Sequence, residues 1–224
     1  MSLTLYYHPL ASFCHKALIA LYENGAPFEP RLIDLSQEAD RAELIAVWPF
    51  RKFPVLRDHA RGRDIPESSV IIEYLDRHYP GPSPLIPADP EQALEARLWD
   101  RIFDLHVHAP MQKVVGDRLR PEESKDALGV AEARAALRTA YALIDRRMAS
   151  RTWALGEVFS IADCAAAPPL FYLGAIEPFA ADHPNLAAYF GRLADRPSFA
   201  RVIEEAKPWL QYFPFASDLP ARFR

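Results

Sequence analysis

Five prolines crowd one short stretch of the chain, Pro80, Pro82, Pro84, Pro87 and Pro90, and nothing else constrains the fold as much. Proline fixes φ and lacks the N–H that a helix or ladder needs, so such a run stiffens into an extended connector. It divides the 224 residues into a domain over 1–79, a linker over 80–90 and a domain over 91–224. The apolar pattern differs on its two sides. Leu3, Leu5 and Tyr7 alternate with Thr4, Tyr6 and His8 as in a short strand, which Pro9 ends. From Ser12 the period lengthens: Cys14, Leu18, Leu21 and Tyr22 fall on one helical stripe, and Gly25 suits the left-handed stop. Phe28 to Leu35 reads as a second strand, placed at an edge by Pro30. A helix follows near Glu38 to Val47. Val55, Leu56 and Ile65 then flank a hairpin loop over 58–64 containing Gly62. Val70, Ile71, Tyr74 and Leu75 form the apolar face of a helix ending near Tyr79. The order is β-α-β-α-β-β-α.

After Glu91 the pattern is helical throughout. Leu94, Leu98, Ile102 and Leu105 are spaced for a long helix, and the segment from Ala133 to Met148 is rich in strong helix formers. Ser160-Ile161-Ala162-Asp163 has the form of a capping box. Pro168-Pro169 is expected to bend the helix that follows it. The fold class is therefore α/β followed by all-α, the second part a helical bundle.

Composition removes several functions. A net charge of −4 offers no basic footprint for nucleic acid and no polybasic patch for a membrane. No apolar run approaches the roughly 20 residues that span a bilayer. The first residues, Met1 to Tyr6, lack the basic and apolar segments of a signal peptide. Cys14 and Cys164 are the only cysteines, too few for a disulfide scaffold, and the expected compartment is the reducing cytoplasm.

Two short motifs carry the functional reading. Phe53-Pro54-Val55-Leu56 starts a strand with proline; with a cis Phe53-Pro54 bond, the backbone of Phe53 would face an extended peptide. Pro66-Glu67-Ser68 sets a carboxylate, a hydroxyl and backbone N–H groups at a helix N-terminus, which favours a bound carboxylate. Together they suit a small peptide with an acidic end. In this order and spacing the motifs resemble the thioredoxin-like N-terminal domain of cytosolic glutathione S-transferases. The resemblance covers residues 3–79, and Ser160–Asp163 adds a weaker match to the start of the buried helix in that family's helical domain.

The resemblance implies a homodimeric enzyme that lowers the pKa of the glutathione thiol and presents it to a small hydrophobic electrophile. It places Glu67 and Ser68 on the γ-glutamyl group, Phe53 and Pro54 beside the cysteinyl residue, and Lys52 on the glycyl carboxylate. Arg51 stands where the family pattern has glycine. A free thiol has a pKa of about 8.5, so activation needs a hydroxyl donor or a helix N-terminus near the sulfur. In serine-type members that hydroxyl matches Ala11 or the next residue; Ala11 has none, so Ser12 is the leading donor and Tyr7, which matches the tyrosine-type position, its rival. The other role for Ser12 is an ordinary N-cap. Cys14 points into the helix stripe and reads as structural. The resemblance also puts the electrophile beside Tyr7–Ser12 and the first helix of the second domain, near His106, His108 and Met111. His106 and His108, two residues apart, diverge by about 200° on a helix and cannot share a metal, so none is expected. Tyr74, Arg77 and Trp99 are candidates for a dimer surface, each equally at home in a core or on a solvated face. A glutathione-binding carrier or stress-interaction protein without transferase chemistry, and a glutathione-dependent isomerase, dehalogenase or reductase, would need the same dock.

Overall fold

The computed structural model describes residues 2–223, which form two compact units, one running through Ile86 and the other from Pro87 onward. In the first, β1 (Leu3–Tyr7), α1 (Ser12–Glu23), β2 (Glu29–Leu32), α2 (Glu38–Val47), β3 (Val55–Asp58), β4 (Arg63–Pro66) and α3 (Ser68–His78) follow in the expected order. The sheet runs β2-β1-β3-β4, with β1 parallel to β2 and antiparallel to β3, and β3 antiparallel to β4. This is the thioredoxin-like arrangement. Strand β2 is an edge strand, as Pro30 requires, but shorter than the apolar run suggested. The hairpin ladder closes further than expected, because Asp58 pairs with Arg63 and leaves a loop of His59 to Gly62, with Gly62 at φ 60. Gly25 ends α1 at φ 60.

Both faces of β1 are covered. Leu3 and Leu5 have no exposed surface, and on the other face Tyr6 packs with Ile33, Leu44 and Val55, flanked by Val47, Trp48 and Phe53. Helix α3 is fastened to the hairpin by one buried carboxylate. Asp58 accepts from the Tyr74 and Tyr79 hydroxyls, each at 2.8 Å, and from the backbone and guanidinium of Arg61, both at 3.1 Å. Burial alone would raise its pKa, but these donors outweigh it and bring it to about 2. The proline-rich stretch is tied to α3 too: Leu85 and Ile86 donate their N–H groups to Asp76 at 3.0 and 2.8 Å.

The second unit is helical: α4 (Pro90–Ile102), a π-helical stretch (Phe103–His108), α5 (Ala109–Arg118), α6 (Ala127–Met148), α7 (Ile161–Ile176), α8 (Pro184–Asp195) and α9 (Pro197–Ala206). Helix α4 starts at Pro90, whose missing N–H costs nothing at a first position, and Asp89 caps it through Gln92 N–H at 2.9 Å. Helix α7 is buried nearly throughout, carries Pro168 and Pro169 inside it, and starts with the expected capping box. Asp163 accepts from Ser160 N–H (2.9 Å), Ser160 hydroxyl (3.1 Å), Ala154 N–H (2.8 Å) and Tyr189 hydroxyl (2.6 Å).

Two apolar faces are corrected. Val70 is exposed, because it lies about 200° around α3 from Ile72, on the side opposite the buried Ile72 and Leu75. Leu94, Leu98 and Leu105 are also exposed, while Ala93, Ala96, Trp99 and Asp100 turn inward. Both sets have helical spacing, and packing of α4 against the nearly all-apolar α7 selects the smaller residues plus Trp99. Trp99 and Tyr74 are thus core residues rather than surface candidates; Arg77 is exposed.

Candidate functional site

The turn before β3 shapes one side of the site. Arg51 N–H closes onto the Trp48 carbonyl at 3.0 Å, and Arg51 adopts φ 54, the left-handed region in which glycine is at ease. The arginine therefore fits this turn by taking up the backbone conformation a glycine would supply. The Phe53-Pro54 peptide is cis. On the other side, β4 ends at Pro66 and Glu67 stands at φ 67, ψ 116, outside the ordinary regions for a residue with a side chain. Glu67 occupies the cap position of α3 but gives it no side-chain acceptor, and Ser68 is the first helical residue. The earliest bond of the helix runs from Ile71 N–H to the Glu67 carbonyl, 2.9 Å. The donors before Ile71 precede that ladder and make this end of α3 a favourable place for an anion.

A cavity of about 180 Å³ lies between these two turns, lined by Lys52, Phe53, Pro54, Glu67 and Ser68 together with Phe13 and Trp48. All five residues assigned to peptide binding in the sequence thus meet around one space. Phe13 and Trp48 had no motif to mark them; they stand at the second position of α1 and just past the end of α2, where periodicity carries no information. Polar and charged groups sit at Glu67, Ser68 and Lys52, and apolar wall at Phe13, Trp48, Phe53 and Pro54, a division suited to a short peptide with charged ends.

The loop from β1 to α1 holds the proposed thiol activators. Ala11 is the cap of α1 and Ser12 its first helical residue, with 2% of its surface exposed; Tyr7 is half-buried at the end of β1. Neither lines the cavity. The backbone N–H groups of Cys14 and His15 begin the α1 ladder on the Ala11 carbonyl at 2.8 and 3.1 Å. His8 joins this loop to the cavity wall: its ring stacks on Phe53 with centroids 6.2 Å apart, and its Nδ1 accepts the Leu10 N–H at 3.1 Å. Burial lowers the His8 pKa against an opposing pull from Asp34, which favours the neutral ring. No sequence signal singled out His8. Cys14 is fully buried and its thiol pKa is pushed up by burial, the structural role expected of it.

In the second unit, His106 is exposed while His108 and Met111 are buried, so the two histidines face different surroundings. Both lie in the π-helical stretch, a rare element that often marks functional positions.

Comparison with known proteins agrees with this geometry. Residues 5–83 match the family described as Glutathione S-transferase, N-terminal domain, and residues 127–192 match Glutathione S-transferase, C-terminal domain. A glutathione S-transferase from Methylobacterium radiotolerans, solved in complex with glutathione sulfonate, is 32% identical, covers 89% of this chain and 93% of its own, and superposes with a TM-score of 0.77. Glutathione S-transferase U25 of Arabidopsis thaliana is 28% identical over 90% of this chain and 89% of its own. A Stringent starvation protein A homolog from Pasteurella multocida is 26% identical over 92% of both. The chain belongs to the glutathione S-transferase family.

Proposed function

We propose that the protein is a glutathione transferase, binding glutathione in the cavity of the first unit and activating its thiol for attack on a small hydrophobic electrophile. The observation that carries this reading is the convergence of Lys52, Phe53, Pro54, Glu67 and Ser68 on one cavity. Glu67 would pair with the γ-glutamyl ammonium, and Ser68 with the donors of the α3 N-terminus would take the neighbouring carboxylate. The Phe53 backbone would hold the cysteinyl residue, and Lys52, which is exposed, the glycyl carboxylate. The sulfur would then be stabilised as thiolate by the positive end of α1 and by a hydroxyl from Ser12 or Tyr7. His106, His108 and Met111 are assigned to the electrophile. The remaining parts of the reading are cytoplasmic detoxification and a homodimer, for which exposed Leu94 and Leu98 on α4 and Leu105 in the π-helical stretch after it offer apolar surface; light scattering reads the dimer directly.

A second reading, a glutathione-binding protein without transferase chemistry, is favoured by the burial of Ser12, by the missing hydroxyl at Ala11, and by the resemblance to a protein named for starvation rather than transfer. One titration separates the two. The ultraviolet thiolate band of bound glutathione, followed against pH alongside calorimetry, should titrate well below the free value of about 8.5 for a transferase. Tight binding with an unshifted thiol would establish the carrier, and absence of binding would defeat both.

A further inference from the structure

Lys16 has no exposed surface, a rare state for lysine because an ammonium is costly to take out of water. It lies one turn after Ser12 on α1, so the two buried side chains share a helix face. Its Nζ donates to the Ser69 hydroxyl at 2.8 Å, joining α1 to the first turn of α3. Ser69 adjoins Ser68, which lines the cavity. If the only need were to hold α1 against α3, an unbranched apolar side chain would do so with no charge to desolvate. The cation is placed instead behind the N-terminus of α3, where the helix already presents positive potential and its cap residue gives no side-chain bond.

We propose that Lys16 is a positioning residue of the dock: through Ser69 its charge orders the first turn of α3 and strengthens that turn's hold on the ligand carboxylate at Ser68. This rests on the glutathione reading above and adds to it a contribution from beneath the site, made by a residue that touches no ligand.

The test is calorimetric binding of two probes, glutathione and γ-aminobutyryl-cysteinyl-glycine, which lacks only the γ-glutamyl α-carboxylate. Lys16→Met should weaken glutathione roughly tenfold, the scale of one charge acting near a helix terminus, and leave the second probe unchanged. Lys16→Arg should restore glutathione binding. Ser69→Ala, which keeps the charge but cuts the link, should show the same selectivity with a smaller loss, and it carries the test if Lys16→Met does not fold. Equal loss for both probes would make Lys16 merely structural and overturn the proposal, as would no loss for either. Wild-type protein that binds neither probe would overturn the glutathione reading itself, a result distinguishable from a wild type that binds and variants that do not discriminate.

Discussion

Helices α3 and α7 both begin beside a serine and an acid, Glu67-Ser68 in one and Ser160 with Asp163 in the other. In α7 the serine is the cap, one position ahead of the helix with extended backbone, and Asp163 reaches back to it; both residues have no exposed surface. In α3 the order of acid and serine is reversed. The acid takes the cap position at φ 67, the serine becomes the first helical residue, and the cap side chain accepts no bond from the first turn. One helix start closes on itself and spends its polar groups on stability. The other faces a cavity, where the proposed function gives them a ligand. The same residue types serve opposite ends, and their order at the helix start decides which.

Breaking the closed start should have the largest effect. Asp163→Ala strands the Ala154 and Ser160 N–H groups and the Tyr189 hydroxyl in the core, and should cost about 3–5 kcal/mol, read as a drop in the urea midpoint. Glutathione affinity of the protein that remains folded should not change; a matching loss of affinity would dissolve the contrast. The open start should behave conversely. Glu67→Ala and Ser68→Ala should each reduce glutathione affinity roughly 10- to 100-fold, with the urea midpoint unmoved.

Helix α3 lacks a side-chain cap and draws its anchorage from Asp58 instead. The carboxyl has a pKa of about 2 in the folded protein against about 3.9 unfolded, so its contribution is complete above about pH 4 and disappears as pH falls through 2. Over that window wild type should lose about 2 kcal/mol that Asp58→Asn has already lost. Parallel urea midpoints for the two proteins between pH 5 and 2 would remove Asp58 as the anchor. The smallest effect concerns the turn opposite. Arg51→Gly should stabilise by about 0.5–1 kcal/mol, because glycine takes φ 54 without the steric cost an arginine bears there, less its own chain entropy. A destabilised variant would mean that the arginine side chain contributes more than its backbone costs.

Much of this architecture was legible before any coordinates. Strand alternation, Pro30 at an edge, Gly25 and Gly62 at positive φ and the Ser160–Asp163 box are local signals, and each appears where its chemistry demands. Lys52, Phe53, Pro54, Glu67 and Ser68, which line one cavity, drew attention for the same reason: two turns with proline and a helix start mark themselves. What stayed hidden was set by partners distant in sequence. Leu94 and Leu98 make as good a helical stripe as Ala93 and Ala96, and only the approach of α7 chooses between them. Trp48 and His8 reach the cavity region from loops and Phe13 from the first turn of α1, positions that leave no period to detect. Lys16 carried no signal in the sequence; its burial and its bond to Ser69 appear only in the fold.

The two buried cysteines bear a consequence for how the molecule can be watched. Cys14 lies in α1 of the first unit and Cys164 in α7 of the second, and neither offers its sulfur to solvent in the native state. A thiol reagent must therefore wait for each helix to open before it can label. Because each unit carries one thiol, the two labelling rates, separated by peptide mass, become independent clocks for the local opening of each half of the chain.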